Sequence, residues 1–260
     1  MRRIRIAPGA QPGEQVILPR AEAHYVTRVL RLRIGDEIKA FDGVNCQYDL
    51  RLTNVSRQMA KAHVVRVEAL STVSSTPLVL GQAMPKGPKM DLIVEKCSEL
   101  GLKILVPLYS ERTVKRHVSK RDDEKLGRWR RIAEAAAKQC GRQTLLKIRS
   151  PMTLHQFCVD YQAATLKLIC WTHESQQSLR HIVEQWDGQP PVVALVGPEG
   201  GWSEQEIAVA RAHGFRTAHL GPLTLRTETA AIVVTGLVRY QLGDFELKGI
   251  QHEKDSTRVD

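Results

Sequence analysis

The stretch Val192-Val193-Ala194-Leu195-Val196-Gly197-Pro198-Glu199-Gly200-Gly201-Trp202-Ser203-Glu204-Gln205-Glu206 decides the fold. Five apolar residues in a row, without alternation, predict a strand buried on both faces. A glycine-rich turn follows at 197–201. Ser203 with Glu206 three residues later is a capping box, which predicts a helix running to Gly214. Strand, glycine turn and capped helix together form the repeating unit of a parallel sheet. The same rhythm extends in both directions. Upstream, residues 78–83, 104–108 and 166–171 read as short apolar strands. Met90, Ile93, Val94, Cys97 and Leu100 fall at helical spacing, closed by Gly101 in a C-cap position. Residues 122–141 predict a long helix with acidic residues at its start, and Leu179, Ile182, Val183 and Trp186 mark another. Downstream, a strand at 218–220 meets Gly221 and a last helix spans 227–242. The fold class predicted is α/β, a parallel sheet with helices on both faces.

The first 70 residues have a different texture. Ile4 and Ile6 alternate with Arg3 and Arg5, as in a half-buried strand. One helix is predicted between Ala21 and Leu32, and turn signals at Gly35-Asp36 and Asp42-Gly43 bound a strand at 37–41. With a further strand at 62–67, this is a small, mainly β module. Residues 71–77, rich in Ser and Thr and ending in proline, are the predicted linker. The expected division is 1–72, 76–248, and a charged tail at 249–260 that is expected to be frayed.

The 260 residues carry 38 Lys plus Arg against 28 Asp plus Glu, a net charge of +10. The surplus is concentrated: residues 112–149 hold 13 basic and 4 acidic residues, a difference of +9. Charge of this density predicts contact with a nucleic-acid phosphate backbone and a salt-sensitive association. No apolar run exceeds five residues, the length of 230–234, which is too short for a membrane helix, and residues 1–8 lack the apolar core of a secretory signal. The five cysteines, at 46, 97, 140, 158 and 170, include no C-x-x-C pair, so a reducing cytoplasm is expected and no metal site.

Ligands of open parallel sheets bind outside the carboxyl ends of the strands. Two such ends here are glycine-rich, at 197–201 and at 220–226, the second leading into Arg226-Thr227-Glu228-Thr229. Neither a P-loop nor the dinucleotide fingerprint G-x-G-x-x-G is present. Thr172-His173-Glu174, at a third strand end, reads as an exposed turn or as a further wall of the same pocket, and Trp171 and Thr172 are the residues expected to reach it.

These late motifs carry a resemblance. Leu195-Val196-Gly197-Pro198-Glu199-Gly200-Gly201-Trp202, and Leu220-Gly221 with Leu225-Arg226-Thr227-Glu228-Thr229-Ala230, resemble the cofactor-loop signatures of the RsmE family in the SPOUT methyltransferase superfamily. Glu95-Lys96 with Glu99-Leu100-Gly101, Ser110-Glu111-Arg112, Glu134-Ala135 with Gln139 and Arg142, and His24 with Val29-Leu30-Arg31 and Gly35-Asp36 match in the same order. The resemblance implies a methyltransferase that uses S-adenosylmethionine to modify N3 of a uridine in 16S ribosomal RNA of the small subunit. It further implies a SPOUT-type sheet with a C-terminal trefoil knot, an N-terminal PUA-like β-barrel for RNA, and a homodimer.

The cofactor residues it implies are Trp171, Thr172, Leu195, Val196, Gly197, Pro198, Glu199, Gly200, Gly201, Leu220, Gly221, Leu225, Arg226, Thr227, Thr229 and Ala230. Arg226 is the expected catalytic cation, stabilising charge on the uracil oxygens. Glu199 is expected to orient Arg226 or accept the proton, with Glu228 the alternative for either role. For RNA, a basic face of Arg2, Arg3, Arg5, Arg28, Arg31 and Arg33 is expected on the small domain. Lys86, Lys89, Arg112, Arg116 and Arg142 are expected along the route to the cofactor. Two readings compete: a non-catalytic RNA-binding or ribosome-assembly protein, and a ribose 2′-O-methyltransferase of the same superfamily.

Overall fold

The structure is a computed structural model that describes residues 3–56, 59–69, 77–112, 120–186, 188–189 and 191–245. Arg2, Arg116, most of the expected linker and the expected tail lie outside these residues.

The large domain is built on a parallel sheet of β6 (Leu78–Ala83), β7 (Ile104–Tyr109), β8 (Lys147–Ile148), β10 (Leu166–Cys170), β11 (Val192–Val196) and β12 (Arg216–Ala218), in the order β12-β10-β11-β6-β7-β8. A short β9 (Met152–Thr153) also pairs with β7. β6 and β11 are buried along their whole length, which is why their sequences do not alternate. Their side chains nevertheless alternate between two cores. Leu78, Leu80, Val192, Ala194 and Val196 face α2 (Lys89–Glu99), α3 (Lys120–Cys140), α5 (Leu179–Glu184) and α7 (Thr227–Gln241). Val79, Val193 and Leu195 face α4 (Leu154–Asp160) and α6 (Glu204–Ala212).

Helices thus cover both faces, as the strand–helix rhythm predicts. Among the described residues, no helix is long and apolar enough to cross a membrane. β8, β9 and α4 fall in a stretch where the sequence pattern predicted no element. Gly101, past the end of α2, has φ +83°, and a Cβ there would stand 2.7 Å from Arg239 Nη2. Glycine therefore serves both the helix stop and a close approach.

The small domain holds a mixed sheet of β1 (Arg3–Arg5), β2 (Gln15–Ile17), β3 (Glu37–Phe41), β4 (Cys46–Val55) and β5 (Ala60–Ala69), in the order β1-β3-β4-β5-β2. The ten-residue β4 was not predicted, although Tyr48, Leu50 and Leu52 do alternate inward. The predicted helix at 21–32 is shorter: α1 (Arg20–His24) continues as one π-helical turn over Tyr25–Val29. Arg31, with φ 55°, then takes the chain out of helical geometry.

Three of the predicted RNA contacts belong instead to the junction between the domains. Arg3 is 1% exposed, stacks over the Phe41 ring and donates to the Arg142 carbonyl oxygen. The expectation that it alternates outward fails because α3 covers that face of β1. Arg142 donates to the carbonyl oxygens of Ser98 and Leu102. Burial, with Arg239 nearby, pushes its guanidinium down to about 10, and it lines no route to the strand ends. Arg5 is half-buried in an ion pair with Glu134 of α3 at 2.8 Å. Lys138 of α3 also reaches across, to the buried Glu22, while pairing with Glu134 one turn earlier on its own helix. Part of the +9 segment is therefore internal cement. Arg28, Arg31 and Arg33 are exposed, as expected.

Candidate functional site

Because β12, β10 and β11 are adjacent and parallel, the loops that leave them emerge on one edge of the sheet. They surround a cleft of about 790 Å³, within the range of small-molecule sites. Trp171 and Thr172 come from the β10 loop, Gly197–Gly201 from the β11 loop, and Leu220–Arg226 from the β12 loop. Val196, Leu225, Thr227 and Ala230 complete the wall, and Lys89 and Arg112 stand at its rim.

One buried hydroxyl joins these parts. Thr227 Oγ1 accepts a hydrogen bond from Gln82 Nε2 at 3.0 Å and donates to the Gly197 carbonyl oxygen. It thereby connects β6, the 197–201 loop and the start of α7. The capping box forms as predicted, with Ser203 and Glu206 each bonding the other's backbone N–H. Glu206 does more than the motif requires: its second oxygen accepts from the Glu111 N–H at 3.0 Å, fixing the loop after β7. Next to it, Arg112 Nη1 donates to the Gly200 carbonyl oxygen. Trp202 packs over Gly197, where a Cβ would meet the indole at 3.2 Å.

The charged groups differ from the predicted arrangement. Glu199 does not orient Arg226. It accepts from Lys89 Nζ at 2.8 Å and from the Lys86 N–H at 3.1 Å. Burial works against its negative charge, but these hydrogen bonds outweigh burial and hold its carboxyl below the usual range. Lys89 is raised in turn, chiefly by the bond to Glu199. Glu228 is nearly buried, with Oε2 3.8 Å from Lys89 Nζ and without a hydrogen bond. Arg226 is exposed at the N-cap of α7, and among the described residues its guanidinium has no hydrogen bond or ion pair.

Most of the predicted cofactor residues line this cleft; Leu195 and Thr229 do not. Leu195 is fully buried on the opposite face of β11, against Gly81, and Thr229 is exposed on α7. Lys86 is exposed and lines a neighbouring cleft. His173 and Glu174, read from the sequence as either pocket or exposed turn, line the site, as do Cys170, Trp202, Ala218, His219 and the exposed Leu223, which were not among the expected site residues. Each lies within two residues of an expected one at a strand end, so proximity along the chain was the available signal. Among the described residues no group of three or more His, Cys, Asp or Glu could hold a metal ion.

The RNA methyltransferase domain family model matches residues 72–239, and the RNA methyltransferase PUA domain model matches residues 18–64. The chain is 35% identical over 234 residues to Ribosomal RNA small subunit methyltransferase E of Synechocystis sp., covering 89% of this chain and 75% of that protein. The chain belongs to the ribosomal RNA small subunit methyltransferase E (RsmE) family. Two solved structures share its fold over nearly all of its length. The family member from Neisseria gonorrhoeae, bound to S-adenosylmethionine, is 29% identical with a TM-score of 0.85, and covers 95% of this chain and 100% of that one. A Legionella pneumophila methyltransferase, in complex with S-adenosylmethionine, is 33% identical with a TM-score of 0.83, and covers 92% and 96%.

Proposed function

We propose that this RsmE-family chain is an S-adenosylmethionine-dependent methyltransferase acting on N3 of a uridine in small-subunit ribosomal RNA. The observation that carries the reading is the convergence of three strand-end loops on one cleft, tied together by Thr227. The residues present fit this cofactor. Trp171, Val196, Leu220, Leu225 and Ala230 offer an apolar wall for an adenine, and the backbone of 197–201 and 220–226 offers the polar edge. Gly221 has φ +113° and open space where a Cβ would project, so the chain bends close to the cleft without filling it. When bound, the cofactor supplies a methyl group already activated by its sulfonium.

The protein then has two tasks: to align N3 with that methyl and to manage one proton. Arg226 is assigned the first electrostatic role. Its unpaired guanidinium at the cleft rim can stabilise negative charge on the uracil oxygens as the N3–H bond breaks. Glu199, occupied by Lys89 and the Lys86 N–H, is assigned a positioning role. Glu228, nearly buried with Oε2 3.8 Å from Lys89 Nζ and outside the cleft lining, is assigned with Glu199 to holding Lys89, which leaves the N3 proton to solvent at the open rim.

The expected fold refinements belong to the same proposal: a barrel-like small domain dividing from the large one near residues 72–76, a knot, a homodimer and a cytoplasmic location. In favour of a knot, the chain leaves β12 at the sheet edge and reaches α7, which packs on β6 and α2 at the centre. On the way it shares one cleft with the β10 and β11 loops, and Thr227 bonds the Gly197 carbonyl oxygen. Calorimetry with S-adenosylmethionine tests the reading: micromolar binding to the full chain is expected, and no detectable binding would favour the non-catalytic RNA-binding alternative.

A further inference from the structure

A second cleft, of about 490 Å³, lies against the first, between residues 84–91 and α3. Its floor is apolar: Met90 and Trp129 are 3% and 5% exposed, and Met84 is half-buried. Its rim is cationic. Lys86, Lys125 and Arg128 face one carboxylate, Asp91, which Arg128 already pairs. Lys125 and Arg128 remain 52% and 62% exposed, Lys125 resting 3.5 Å from Asp122 and Arg128 paired with Asp91, so an arriving anion would compete with one surface carboxylate for each.

The segment 85–89 is the wall between the clefts. Pro85 and Pro88 stiffen it, and Glu199 clamps it through the Lys86 N–H and Lys89 Nζ. Lys86 therefore anchors its backbone to the cofactor side while lining the second cleft.

We infer that this second cleft is a subsite for a nucleotide of the RNA strand next to the one that is methylated. The apolar floor takes the base and the Lys86, Lys125 and Arg128 rim takes its phosphate. The inference rests on the proposed function, because it needs a uridine in the first cleft. An apolar floor with a net positive rim suits a nucleotide, which presents a flat apolar face and an anion together. The shared wall sets the two bases side by side with one loop between them, so that binding the neighbour would present the target.

The test is a pair of charge reversals on α3 in the full chain. Lys125→Glu with Arg128→Glu alters the cleft, and Arg130→Glu with Arg131→Glu makes the same charge change at exposed positions that do not line it. Methyl transfer to small-subunit ribosomal RNA gives kcat/KM, and calorimetry gives the S-adenosylmethionine Kd. The cleft variant is expected to lose about tenfold or more in kcat/KM through KM, with the cofactor Kd unchanged, while the control loses about threefold or less. Equal losses in both variants, or none in the cleft variant, would overturn the subsite while wild type still methylates RNA. A wild-type chain that binds no cofactor and methylates no RNA would instead overturn the proposed function, and the subsite with it.

Discussion

Replacing Thr227 with valine removes one hydroxyl and leaves the side-chain shape almost unchanged. In the structure that hydroxyl accepts from Gln82 Nε2 at 3.0 Å and donates to the Gly197 carbonyl oxygen. Gln82 is fully buried and keeps a second acceptor, the Ala83 carbonyl oxygen, so it is only partly orphaned. The Gly197 carbonyl loses its donor from α7. A buried polar group left short of a partner costs about 1–3 kcal/mol, and one full orphan with one partial gives an expected loss of about 2 kcal/mol. For a domain of this size that corresponds to a fall of about 4–8 °C in melting midpoint. The same change releases the 197–201 loop from the helix, so S-adenosylmethionine binding is expected to weaken about tenfold, equivalent to about 1.4 kcal/mol. Thermal melts by circular dichroism and calorimetric titration on the same preparations measure both. Thr227→Ser, which keeps the hydroxyl, should restore most of the affinity. A valine variant with wild-type midpoint and wild-type cofactor Kd would refute the reasoning, as would a serine variant as impaired as valine.

Other perturbations follow from the same geometry. Arg226→Ala should lower kcat for methyl transfer by about 10²-fold or more with little change in cofactor Kd, because the guanidinium is proposed to act on charge that develops only in the reaction; stopped-time assays with radiolabelled cofactor read this. Gly81→Ala places a methyl 2.6 Å from Leu195 Cδ2 and 2.9 Å from Phe157 Cζ, and should destabilise the sheet by about 1–3 kcal/mol in denaturant melts. Lys138→Ala strands the buried Glu22 carboxylate and should cost about 3 kcal/mol, seen as faster proteolytic separation of the small domain. Burial opposes the charge of Glu134, but hydrogen bonds from Lys138 and Arg5 hold its carboxyl below the ordinary 4.5. That contribution is present above pH 4.5 and is lost as pH falls through the lowered value, so acid should loosen the domain junction before the cores. A junction equally protease-resistant at pH 7 and pH 3 would contradict this.

The local parts of the molecule were legible wherever one residue type has one strong reason for its place. Ser203 and Glu206 announce a helix start, Gly101 a helix end, and the unbroken apolar run at 192–196 a strand covered on both faces. What stayed hidden depends on contacts between distant segments. Arg3 looks like the solvent face of a strand, and is buried because α3 packs over it from 130 residues away. Arg142 and Lys138 look like RNA contacts within a basic run, and instead bind backbone and carboxylates at the domain junction. Glu199 was placed in the right loop but with the wrong partner, since the position of Lys89 over the strand ends follows from the strand order and not from spacing. Likewise, two glycine-rich loops suggested a ligand site, yet only the placement of β10 between β11 and β12 brings the 171–174 loop to the same cleft.

The most direct test of the central claim is mass spectrometry of nucleosides from small-subunit ribosomal RNA incubated with the full chain and isotope-labelled S-adenosylmethionine. The account predicts a single labelled nucleoside, a uridine carrying the methyl on its base at N3. Label on a ribose 2′-hydroxyl, or no label in RNA under conditions where the protein binds the cofactor, would contradict it.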